Sequence, residues 1–203
     1  MSELTTASTS RTEAEQVATS KTIFGFWTYL MTDCVLFASL FATYAVLRNS
    51  TFGGPSGHEL FSMPYVLVET LILLTSSFVC GLGLLAARRG NTKQVLVWFS
   101  ITFLLGLSFL AMELTEFRQL AVEGNSWRAS GFLSSYFTLV GTHGLHITAG
   151  LLWMLVLLGK IAKDGIKGAT FKRLTLLSMF WHFLDIVWIF IFSIVYLLGA
   201  AQL

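Results

Sequence analysis

The residues of this sequence best suited to chemistry lie inside its most apolar stretches. His143 and His146 stand three apart in "GTHGLHITAG" (141–150), and His182 and Asp185 are three apart in "FWHFLDIVWIF" (180–190). Glu113 and Glu116 repeat that spacing in "GLSFLAMELTEF" (106–117), while Asp33 and Glu69 stand alone in "YLMTDCVLF" and "LVETLILL". On a helix, residues three apart share a face. A charge held in a hydrocarbon setting is costly, so these faces must look inward and find partners. Three kinds of chemistry would use such groups: holding a metal, passing protons, or bonding one helix to another.

The spacing discriminates among the three. Bundles that hold two metals place a Glu-x-x-His motif on paired helices, and that repeat is absent here; three deep histidines could still ligate one ion. A proton path needs groups at successive depths leading to both faces. Here the inner third lacks an acid, apart from the amino-terminal tail and Asp164. Structural bonding asks less. A neutral histidine donates one hydrogen bond and accepts another, and Thr142, Thr148 and Trp188 stand within reach of such bonds. Gly141, Gly144 and Gly150 would let a second helix approach closely. The residues favour the structural reading. None of Asp33, Glu69, Glu113, Glu116, His143, His146, His182 and Asp185 is assigned a catalytic, cofactor-binding or metal role; they are expected to be buried polar, structural or lipid-cleft residues.

The elements that carry them are membrane spans. Of 203 residues, 55% are hydrophobic and only 12% charged, about half the charge fraction of a soluble domain. Five apolar blocks, 23–48, 65–87, 95–120, 132–159 and 174–200, are each long enough to cross a bilayer, which takes about 20 residues. The fold class is therefore all-α, a polytopic bundle of five transmembrane helices over residues 23–203. Residues 1–22 lack aromatic residues and an apolar core and read as a flexible solvated tail rather than a signal peptide. Pro64 suits a first helical turn, Gly90-Asn91 a stop, and 49–64 a turn-rich connector. Cys34 and Cys80 read as small core residues, not disulfide halves. Ten of the thirteen basic residues fall on the tail and the second and fourth loops, which predicts a cytoplasmic amino terminus and an outside carboxyl terminus. No internal repeat suggests a transporter of two inverted halves, and no basic face suggests nucleic acid.

Together, "GTHGLHITAG" and "FWHFLDIVWIFIFSIVYLLG" (180–199) resemble the last two helices of subunit III of the haem–copper respiratory oxidases. "YLMTDCVLFASLFATYAVL", "LVETLILLTSS" and "GLSFLAMELTEF" resemble the preceding segments in order, so the likeness spans about residues 23–200. It is the short bacterial form with five helices. "KTIFGFWTYLMTDCVLFASLFATYAVL" and "GGPSG" are most similar to the third subunit of the cytochrome o ubiquinol oxidases, with the short-form cytochrome c oxidases as runner-up. Asp33 stands where the family commonly has glutamate. The resemblance implies a complex that oxidises ubiquinol, reduces O2 to water and moves protons. In it the haems and copper reside in subunit I, and subunit III carries no redox centre. The implied partners are subunits I, II and IV and membrane phospholipids held in a cleft beside subunit I, where the chain supports proton uptake. An autonomous proton-coupled transporter is the alternative from a different class.

Overall fold

The computed structural model describes residues 2–51, 62–124 and 127–200. Most of the 49–64 connector, including "GGPSG", lies outside the described residues, as do 201–203. The described chain consists of helices: α1 (Ser2–Leu47), α2 (Met63–Arg88), α3 (Thr92–Val122), α4 (Gly131–Asp164) and α5 (Gly168–Ile191), with a π-helical segment Phe192–Leu197 and a last turn Leu198–Ala200 after α5. Five segments are long and apolar enough to span a membrane, Ser20–Leu47, Met63–Arg88, Thr92–Val122, Gly131–Asp164 and Gly168–Leu197.

The ends follow local chemistry. Pro64 sits in the first turn of α2 behind Ser62, where its missing N–H costs nothing. Asn91 caps α3 by accepting from the Gln94 N–H at 3.2 Å, and Ser130 caps α4 by accepting from the Leu133 N–H at 3.1 Å, each satisfying an orphan donor. Gly90, at φ 70°, turns the chain between α2 and α3 in a conformation that costs glycine little.

The chain forms two compact units, Met1–Leu36 and Phe37–Leu203. The first is helical from Ser2 onward, so the stretch read as a solvated tail has helical backbone. In this unit Cys34 is exposed, against the expectation of a core position, whereas Cys80 in the second unit is buried. An apolar run bound for lipid does not tell which face of its helix looks inward.

In the second unit α2 packs on α3, α3 on α4, α4 on α5, and α5 back on α2, closing a ring of four helices. Two tryptophans of α5 fill it. Trp181 Nε1 donates to Ser76 Oγ and Trp188 Nε1 to Thr70 Oγ1, each at 3.1 Å. Both rings are buried and both bonds reach α2. The carboxyl-terminal part of α1 joins through Phe37 and Tyr44; the Tyr44 ring centroid lies 6.1 Å from that of Phe132 on α4. Leu67, Leu71 and Phe78 on α2, Leu104 on α3, Leu145 and Leu152 on α4 and Ile186 on α5 point outward. The unit is thus apolar outside and carries its polar side chains within, as a lipid solvent demands.

Candidate functional site

Two polar groups lie within the ring. The first gathers Glu69 of α2, Glu113 and Glu116 of α3, and two tyrosines from near span ends, Tyr136 and Tyr196. Tyr196 Oη donates to Glu116 Oε2 at 3.3 Å, the Tyr136 and Tyr196 hydroxyls are 2.9 Å apart, and the Tyr136 hydroxyl also reaches the Glu116 carboxyl. Both tyrosines are fully buried. Tyr196 belongs to the π-helical segment, whose wider turn resets the rotation of the residues beyond it; such segments are frequent at functional sites. Glu69 lies within electrostatic reach of Glu116 and Glu113. Glu69 and Glu113 are buried, and their carboxyl oxygens have no hydrogen-bond partner among the described residues.

His143 stands beside this group, sealed from solvent. Its ring stacks on Trp188, centroids 5.3 Å apart, and meets the edge of Phe109 at 6.1 Å. Neither ring nitrogen has a hydrogen-bond partner among the described residues. Trp188, expected as a bonding partner for the buried polar groups, gives its N–H to Thr70 and its face to His143. His146, one turn on and half-buried, donates from Nδ1 to the Thr142 carbonyl at 2.8 Å. A carbonyl can only accept, so the proton is on Nδ1. The Thr148 hydroxyl is spent on the Gly144 carbonyl at 2.8 Å.

The second group joins α2 to α5. Ser77 Oγ is 2.6 Å from His182 Nδ1 and is also hydrogen-bonded to Asp185. The serine thus links the two residues that the sequence placed on one face. Asp33 lies in the first unit, on α1, one turn beyond Tyr29, whose hydroxyl is bonded to it. Within the second unit the other seven candidates do not form one centre. Among the described residues no three His, Cys, Asp or Glu side chains converge in a way that could hold a metal ion.

Comparison with known proteins places this arrangement. The profile of the family described as cytochrome c oxidase subunit III matches residues 2–200. The chain belongs to that family. This subunit III chain is 59% identical over 179 residues to the cytochrome bo(3) ubiquinol oxidase subunit 3 of Pseudomonas aeruginosa, covering 88% of this chain and 86% of that one. It is 56% identical, with the same coverage, to the protein of that name from Pseudomonas putida. The cytochrome c oxidase subunit 3 of Bacillus sp. strain PS3 is 46% identical over 175 residues, covering 86% of this chain and 84% of its own. Membership sets aside an autonomous transporter. It also accords with a subunit III of buried polar faces, aromatic packing and an apolar exterior, built to sit in a membrane as part of a multi-subunit oxidase.

Proposed function

We propose that this chain is the non-catalytic third subunit of a cytochrome bo(3)-type ubiquinol oxidase in a bacterial inner membrane. Its complex would oxidise ubiquinol, reduce O2 to water and pump protons. The observation that carries the reading is the 59% identity, over nearly the whole of both chains, to a relative named for ubiquinol oxidation, against 46% for one named for cytochrome c. Haems and copper are assigned to subunit I. The work of this chain is to pack beside subunit I, with II and IV as further partners, to hold phospholipids there and to support proton uptake. The closed ring supports that role, because Trp181 and Trp188 tie α5 to α2 and leave a broad apolar exterior for lipid and neighbouring subunits. The amino terminus is assigned to the cytoplasm on the distribution of basic residues.

The experiment is a mild-detergent purification of this chain from its native membrane, with optical spectra, metal analysis and turnover on two donors. Haem bands and copper arriving with three companion polypeptides, and turnover on ubiquinol, are expected. Turnover on reduced cytochrome c instead would move the chain to the short-form cytochrome c oxidases. A single polypeptide without haem would defeat the oxidase reading.

A further inference from the structure

Between α3 and α4 lies a groove of about 280 Å³, lined by Glu113, Leu114 and Phe117 from one wall and Gly141, Gly144 and Leu145 from the other. Its rims are apolar and open: Leu114 and Leu145 are exposed. Its floor is polar. The Glu113 carboxyl lies so close across Gly144 that a Cβ there would stand 2.8 Å from Oε1. The residue is only 2% exposed, and neither carboxyl oxygen has a hydrogen-bond partner among the described residues. Buried carboxyl groups are normally hydrogen-bonded, so this one calls for a partner from outside the chain. The other polar group at the groove, the Thr148 hydroxyl, already gives its proton to the Gly144 carbonyl. The occupant must therefore bring a donor to Glu113 and an apolar body to the rims.

Depth narrows the choice. Glu113 lies nine residues before the end of α3 at Val122, about 13 Å along the axis. A helix of 31 residues overhangs a hydrocarbon core of about 30 Å at both ends, so Glu113 lies inside the hydrocarbon edge. A lipid ammonium resists that depth, whereas a neutral hydroxyl on an aromatic ring reaches it readily, and Phe117 offers a ring for it to pack against. We propose that the α3–α4 groove binds a membrane quinol, whose hydroxyl donates to Glu113 and whose ring and tail lie between Phe117, Leu114 and Leu145. Gly141 is the small residue that keeps the groove open, and Gly144 makes room for the Glu113 carboxyl. The choice of a quinol over other hydroxyl-bearing amphiphiles rests on the quinol-oxidase reading above. The site takes no part in electron transfer; it holds quinol in the complex.

The test uses the complete oxidase complex in phosphatidylcholine nanodiscs, with a photoreactive azido-ubiquinol kept reduced, and maps adducts by peptide mass spectrometry. Adducts on the α3 and α4 peptides are expected, suppressed by excess ubiquinol and unaffected by added phosphatidylethanolamine. Gly141→Leu should lower their yield about tenfold, and Glu113→Met, which keeps the shape and removes the acceptor, by a similar factor. The leucine has room to enter the groove, since a Cβ at Gly141 meets only Phe117 Cε2, at 3.8 Å. The competition on the unmodified complex depends on neither variant. Adducts absent from both helices, adducts displaced by phosphatidylethanolamine, or adducts confined to partner polypeptides would each overturn the proposal. A complex that turns over ubiquinol without labelling the groove defeats this inference alone. One that turns over only cytochrome c defeats the reading it rests on.

Discussion

At the scale of single residues, what joins the polar pairs is the small side chain between them. His182 and Asp185 were visible in the sequence by their spacing, but Ser77, which is bonded to both, was not. A serine in an apolar run carries no pattern, and its partners lie 105 residues away in the case of His182. Tyr136 and Tyr196 were hidden for a related reason: tyrosine near a span end reads as an interfacial anchor, whereas here both hydroxyls turn inward to Glu116. Ser77→Ala should remove both bonds and leave a histidine nitrogen and a carboxyl oxygen short of a partner. The expected loss is about 1–3 kcal/mol, read as a lower melting temperature of the complex. Ser77→Thr, which keeps the hydroxyl, should recover part of it. Equal melting of Ser77→Ala and the unmodified complex would show that His182 and Asp185 bond independently of the serine.

The element scale explains why the helices close into a ring. All five spans were legible, because about 20 apolar residues in a row leave a chain few alternatives. Which faces meet was not, since lipid-facing and protein-facing apolar residues look alike; Cys34 fell on the wrong side of that ambiguity. The π-helical segment was also illegible, as "FSIVYL" contains no proline or glycine to mark it. The faces are set by glycines under aromatic rings. A Cβ at Gly106 on α3 would stand 2.7 Å from Trp181 Cη2, and one at Gly150 on α4 would stand 3.1 Å from Cζ3 of the same indole. Trp181 therefore wedges between two helices that only glycine keeps clear, while its N–H holds the third. Gly106→Ala should cost about 1–3 kcal/mol by overpacking, while Gly81→Ala, with nothing within 4 Å of its Cβ, should be neutral or slightly stabilising. Thermal unfolding of the two variant complexes checks the contrast. Adding Trp181→Phe to Gly106→Ala should be less damaging than the two changes summed, because the rings then no longer collide. Strict additivity would mean that Gly106 matters for another reason.

For the whole molecule, the deciding asymmetry lies in the loops rather than in the bundle. Arg88, Arg89 and Lys93 flank the α2–α3 turn, and Lys160, Lys163, Lys167, Lys172 and Arg173 flank the α4–α5 turn; Arg48, Arg118 and Arg128 stand toward the alternate ends of the spans. Moving a basic residue across the membrane is resisted, so basic loops stay on the cytoplasmic side. On the orientation proposed above, five spans would put the amino and carboxyl termini on opposite faces. On the proposed orientation Glu69, Glu113, Glu116, Tyr136 and Tyr196 would fall in the outer half. A fluorescent protein that folds only in the cytoplasm should therefore shine when fused at the amino terminus and stay dark at the carboxyl terminus; a periplasm-dependent phosphatase should report the reverse. Exchanging Lys163, Lys167 and Lys172 for glutamine should weaken this preference, because the fourth loop holds half of the ten inner basic residues. The first loop to lose its orientation would be the one flanked by α4 and α5. If both reporters gave the opposite pattern in the unmodified chain, the carboxyl–tyrosine group and the α3–α4 groove would open toward the cytoplasmic leaflet. The groove's occupant would then enter from that side.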